Sequence, residues 1–263
     1  MGAEIQRTEN YSLGFLDHFN SARAEAEITK NFLEERGGRG VILGNGGNKA
    51  NLEKIFQASL LGLRLKNKVE VDKNALNPYE RNLINQDPRL LTIVDWDGVM
   101  GSPPHTVLRF IQKPSSWGGG FGEMKKLGRV NLEEWRWFKK MAQASDYLVV
   151  WSSRFLVNEE SPLSFIAKPF EGAISYWPLF DKSSLRRLSL IEPNKIEVWP
   201  QKPLLDRKAS LAKIIDGTTT KSWEMIYYVG SSHFDRQTVR RFVKKNPHLA
   251  PRFAFFDTSH LIF

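Results

Sequence analysis

The stretch Leu90-Leu91-Thr92-Ile93-Val94-Asp95-Trp96-Asp97-Gly98-Val99 decides how this chain is read. Its first five residues form a nearly unbroken apolar run, the pattern of a strand covered on both faces. Asp87-Pro88 breaks the chain just before it. Similar runs recur at Tyr147 to Trp151, Met225 to Val229 and Phe253 to Phe256. Helical segments fall between them, at Leu132 to Ala144, Ala209 to Ile215 and Asp235 to Lys245. Strands alternating with helices predict a parallel sheet with helices on both faces, a three-layer Rossmann-like α/β fold. Ligands of such a fold bind outside the carboxyl ends of the strands.

Upstream of this pattern, residues 1 to about 36 read as helical. Ala22 to Glu35 is rich in helix formers, and Gly37-Gly38 ends it. The apolar run Gly40 to Leu43 enters Gly44-Asn45-Gly46-Gly47-Asn48, and Asn51 to Leu63 is again helical. A strand, a glycine-rich turn and a helix can cradle phosphate. GNGGN matches neither a P-loop nor a dinucleotide fingerprint, which favours a simple turn. Asn77-Pro78 to Pro88 reads as a connector. The expected organisation is a mainly helical N-terminal extension, residues 1–85, before an α/β domain at 86–263.

The chain has 263 residues, enough for a sizeable core. Apolar residues make up 41% and charged residues 25%, which argues against wholesale disorder. No apolar run approaches the ~20 residues of a membrane span. The first residues, MGAEIQRTENYS, lack a signal-peptide core. Cysteine is absent, which excludes disulfides, thiolate zinc sites, iron–sulfur clusters and cysteine nucleophiles. These features predict a cytoplasmic protein. The net charge is +9, from 38 basic and 29 acidic residues, and favours polyanions or phosphorylated ligands. The surplus is concentrated late, with 15 Lys and Arg against 8 Asp and Glu from Asp181 onward.

The chemistry is expected where the strands end. Asp95 and Asp97 place two carboxylates in one tight loop, at a cost unless a cation or shared proton offsets their repulsion. A hard ion such as Mg²⁺ suits oxygen ligands and bridges phosphates. Gly98 lets the backbone turn there. An isolated D-x-D would be read as an Asx turn. Here later segments add useful groups: Ser152-Ser153-Arg154 after the second strand, Lys208 opening a helix, and Gly230-Ser231-Ser232-His233-Phe234-Asp235 after the third strand. A hydroxyl can bind a phosphoryl oxygen and a lysine can neutralise its charge. Asp235 has two readings, a helix N-cap or part of a metal site.

In this order the motifs resemble the haloacid dehalogenase-like (HAD) hydrolase superfamily, over roughly Leu90 to the C-terminus. Ile93 to Val99 is similar to the family's strand followed by D-x-D-G-T/V, its most specific motif. The second motif would be the strand reaching Ser152 and Ser153. The third would be Lys208, with Lys202 and Lys213 as alternatives. Gly230 to Asp235 is similar to G-D-S-x-x-D, with Ser231 where the first acid usually stands. The resemblance implies a Mg²⁺-dependent phosphomonoester hydrolase working through an aspartyl-phosphate. Asp95 would be the nucleophile and Asp97 the acid and base. Ser152, Ser153 and Lys208 would hold phosphate, and Asp95, Asp97 and Asp235 the metal. A hydroxyl at 231 would weaken that metal site, since fewer carboxylates lower affinity for a hard cation.

Substrate size is the remaining expectation. The intervals from Met100 to about Asn131 and from Arg154 to Arg207 leave room for only a minimal cap. Ser115 to Gly122 reads as a flap, with Trp117 and Phe121 as its contacts. By family analogy an open site suits macromolecular phosphates, such as nucleic-acid ends or phosphoproteins. Arg236, Arg240, Arg241, Lys244 and Lys245 lie on one expected helix. All but Arg236 share a face that can meet a phosphate backbone or simply face water. The alternatives are therefore a nucleic-acid end phosphatase and a HAD-fold binding or scaffold protein that has lost turnover.

Overall fold

The computed structural model describes residues 21–43, 47–65, 69–95, 99, 132–151, 196–199, 207–217 and 222–258. Six strands form one parallel sheet: β1 (Arg39–Ile42), β2 (Leu90–Asp95), β3 (Tyr147–Trp151), β4 (Ile196–Trp199), β5 (Met225–Gly230) and β6 (Phe253–Asp257). Their order across the sheet is β1-β6-β5-β2-β3-β4. The helices are α1 (residues 21–34), α2 (Gly47–Gln57), α3 (Leu60–Leu63), α4 (Pro78–Leu83), α5 (Leu132–Ala144), α6 (Arg207–Gly217) and α7 (His233–Lys245). Among the described residues no helix is long and apolar enough to cross a membrane.

Two apolar layers hold the sheet between the helices. Alternate residues of each strand face opposite sides. Leu90, Val94, Leu148, Val150, Tyr227 and Phe256 meet Leu52, Phe56 and Leu61 of α2 and α3 and Phe138 and Met141 of α5. Leu91, Ile93, Val149, Tyr228 and Phe255 meet Leu33 of α1, Leu211 and Ile214 of α6, and Val239 and Phe242 of α7. Both faces being covered explains why β2, β5 and β6 are buried at every residue. The expected three-layer α/β architecture is present.

The described part of the segment before residue 86 is mainly helical, but it also belongs to the sheet. β1 pairs with β6 from Arg39↔Ala254 to Ile42↔Asp257, so the first described strand forms one edge of the sheet. α1 reaches it through Gly37, whose φ of +81° is the left-handed conformation that glycine adopts readily. Gly38 N–H donates to Leu33 O and Gly37 N–H to Glu34 O, a Schellman end to the helix. Arg64, just after α3, donates to Ala144 O and Asp146 at the end of α5 and to Pro88 O before β2.

Three local readings differ from the structure. Asn51 to Leu63 is two helices, because Ser59 is extended, at φ −156° and ψ 162°, ahead of α3. Asn77 to Pro88 is not wholly connector. Asn77, Pro78 and Glu80 start α4 with a capping box and a proline in the first turn. β4 is a strand that its sequence, Ile196-Glu197-Val198-Trp199, does not announce. Residues 44–46 of the GNGGN turn lie outside the described residues, while Gly47 and Asn48 open α2.

Candidate active site

Strand order places a switch point, the position where open α/β sheets form a crevice, at the carboxyl edge beside β2. From β2 the chain moves outward to β3 and β4, then returns to the other side of β2 as β5 and continues to β6. The order reverses between β2 and β5, the place where open α/β sheets bind ligands. Asp95 is the last residue of β2 and is 5% exposed. Register pairs it with Trp151 at the end of β3, while Val94 pairs with Val229, one residue before Gly230. The ends of the strands carrying Asp95, Trp151 and Gly230 therefore lie side by side.

The β5–α7 loop is built around Asp235. Ser232 is the N-cap of α7 and Asp235 is its third helical residue, so the capping role is real but Asp235 is not the cap itself. The Asp235 carboxylate is fully buried. Its Oδ1 accepts from the Tyr228 hydroxyl at 2.6 Å. Its Oδ2 accepts from Ser231 N–H at 3.3 Å, Ser232 N–H at 3.0 Å and the Ser232 hydroxyl at 2.7 Å. The Asp235 carboxylate thus satisfies the Ser231 and Ser232 N–H groups just ahead of α7. Gly230 lies tightly beneath it: a Cβ there would come 3.0–3.1 Å from Asp235 Cβ, Cγ and Oδ2, so the carboxylate would have to shift by a few tenths of an ångström. Removing the phenol oxygen with Tyr228→Phe withdraws one donor from a buried carboxylate. The expected loss is about 1–3 kcal/mol of stability, read from urea unfolding. A loss below about 0.5 kcal/mol would show that the 2.6 Å bond contributes little.

A second set of charges adjoins this loop. Arg236 is buried and ion-pairs with Asp257 at the end of β6, Nε to Oδ2 at 2.6 Å. Its Nη1 donates to Glu25 of α1 at 3.2 Å, and His233 Nδ1 lies 2.6 Å from the same carboxylate. Burial opposes the charge of Glu25, but the hydrogen bond and charge of His233 and the charge of Arg236 outweigh it. They hold the Glu25 carboxyl below the usual range. A lowered carboxyl pKa stabilises the fold above the unfolded value, about 4.3, and that contribution fades as pH falls through the lower folded value. The difference in thermal midpoint between wild type and Glu25→Gln is expected to narrow from about pH 5 to about pH 3. A constant difference would show that the Glu25 charge does not tie α1 to α7.

Of the residues expected to carry chemistry, the structure brings Asp95 and the Asp235 loop to neighbouring strand ends. Lys208 is in the first turn of α6, where only its backbone is described. Asp97, Ser152, Ser153, Trp117 and Phe121 lie outside the described residues, although Ser152 directly follows Trp151. Among the described residues no group of three or more His, Asp or Glu side chains is placed to hold a metal ion. The sequence reading missed Tyr228, which faces Asp235 from within β5, and the Arg236–Asp257 pair. The Ser232-x-x-Asp235 spacing was a usable signal for the capping box. Compared with protein-family models, curated proteins and solved structures, the chain matches none.

Proposed function

We propose that this chain is a Mg²⁺-dependent phosphomonoester hydrolase of the haloacid dehalogenase-like kind. The observation that carries the proposal is the position of Asp95, a buried carboxylate ending the strand beside the point where strand order reverses. An Asp95 oxygen bonds to phosphorus as the bond from phosphorus to the leaving oxygen breaks. Asp97, two residues on, gives its proton to the leaving oxygen. It then takes a proton from the water that cleaves the aspartyl-phosphate. Ser152 and Ser153, following β3, and Lys208, opening α6, are assigned to the transferring phosphoryl group.

The donors at these strand ends are hard oxygens, the type that Mg²⁺ takes. Asp95 and Asp97 would hold the ion, with Ser231 standing where the family has an acid. Mg²⁺ would supply charge to offset the paired carboxylates and the phosphate. Asp235 supports this arrangement by fixing the Gly230–Ser232 loop, since its carboxylate is turned inward to four donor contacts.

That inward turn favours one second reading, a phosphoryl-binding protein with a weakened metal site and no turnover. Hydrolysis of p-nitrophenyl phosphate by wild type and Asp95→Asn, with and without Mg²⁺, separates the two. Mg²⁺-dependent turnover that disappears in Asp95→Asn supports the hydrolase. No turnover, with no Mg²⁺ uptake by calorimetry, supports the binding protein.

A further inference from the structure

We propose that the outward face of α7 is a track for single-stranded nucleic acid, leading a phosphorylated end to the Asp95 crevice. The delivery step rests on the phosphatase reading; the track rests on α7 itself. One side of this helix is core, with Val239, Phe242 and Val243 buried. Arg236 also turns inward, to Asp257 and Glu25. The other four cations behave differently. Arg241, Lys244 and Lys245 are exposed and Arg240 is half-buried. None of the four makes an ion pair among the described residues. The helix's one acid, Asp235, is fully buried, so the outward face carries no counter-charge of its own.

An aromatic ring heads this line of charge. Phe234, in the first turn, is 47% exposed and meets the His233 ring edge-on at 5.6 Å. At about 100° per residue, Phe234, Arg241 and Lys245 fall within ~40° of one another around the helix, with Lys244 alongside. The line is ~16 Å long and begins just past the Gly230–Ser232 loop. A single strand matches this layout. Its bases have open faces to stack on a ring, and its phosphates follow the cations. A duplex keeps its base faces stacked and offers Phe234 nothing. An acidic phosphopeptide satisfies the charges but has no regular succession of flat rings.

The test is fluorescence anisotropy with oligothymidylate carrying a 5′-phosphate and a 3′-fluorophore, over a range of salt. Wild type is expected to bind, with an affinity that falls steeply with salt. The double change Arg241→Gln with Lys245→Gln should weaken binding about tenfold and flatten the salt slope by about 1.4, two contacts at ~0.7 each. Phe234→Ala should weaken it by about tenfold through lost stacking. Thermal melts check that each variant is folded. Equal binding by wild type and both variants would overturn the track. So would a duplex or an acidic phosphopeptide that competes as well as the single strand. Hydrolysis of p-nitrophenyl phosphate by the same wild-type preparation is read separately. Its absence, with salt-dependent binding intact, overturns the phosphatase reading and the delivery step while supporting the track.

Discussion

Exchanging Asp95 for Asn is expected to reduce phosphomonoester hydrolysis by about a thousandfold or more while leaving the fold intact. The amide has nearly the shape of the carboxylate, so β2 and its pairing with β3 and β5 need not change. What is lost is the anionic oxygen proposed to bond to phosphorus, and neither acid described at the neighbouring strand ends can replace it. Asp235 cannot, because both its oxygens are held inward by Tyr228, Ser231 and Ser232. Asp257 cannot, because it is buried and paired with Arg236. Stability should move little, since the amide keeps the volume of the carboxylate and can still hydrogen-bond. The thermal midpoint should therefore stay within a few degrees of wild type. A preparation of Asp95→Asn that melts normally yet hydrolyses p-nitrophenyl phosphate within about tenfold of wild type would sink the covalent mechanism. Trapping of labelled phosphate on wild-type protein, absent in the variant, is the complementary expected result.

The legible parts of this structure were those whose burial leaves a mark on composition. β2, β3, β5 and β6 read as apolar runs because helices cover both faces of the sheet. β4 did not, since it is a four-residue edge strand with a glutamate inside it. β1 showed only as the run from Gly40, because its first residue is an arginine whose charge is met by a partner far along the chain. The position of Asp95 at a strand end followed from the run before it. Its neighbours did not, because alternation of strands and helices leaves open which strands lie together. That order comes from long-range packing, such as Leu33 of α1 and Phe255 of β6 entering one layer. Asp235 shows the opposite limit. Its place after a strand was visible, but both a cap and a metal ligand need an acid there, and only the partners of its two oxygens describe its role.

Glu80→Ala should be the most damaging single change to the fold, at about 3–5 kcal/mol. Glu80 is fully buried in α4, and three groups depend on its carboxylate. Arg39 of β1 donates from Nη2 to Oε1 at 2.8 Å and brings Nε to 2.7 Å from Oε2. The Tyr227 hydroxyl, from the middle of β5, donates to Oε1 at 3.0 Å, and Asn77 N–H donates to Oε2 at 3.1 Å. Burial, followed by the charge of Glu80, pushes the Tyr227 hydroxyl well above its usual pKa, so it remains a donor. The same hydroxyl accepts from Leu60 N–H at the start of α3. Alanine would leave a nearly buried guanidinium without its counter-charge and two donors without an acceptor, and each is costly in a low-dielectric interior. The companion test is the double change Arg39→Met with Glu80→Leu. It removes both charges and should lose clearly less than Glu80→Ala alone, because no ion is left stranded. Urea midpoints for wild type, Glu80→Ala and the double variant give the comparison, and a Glu80→Ala loss under about 1 kcal/mol would refute the buried pair as a fastening. The same geometry predicts the fate of a truncated chain. Arg39, Leu60 and Glu80 all precede residue 86 and converge on Tyr227 of β5 or its network. Cutting before β2 therefore removes an edge strand and helices from both layers, α1 from one and α2, α3 and α4 from the other, and is expected to yield an unfolded product.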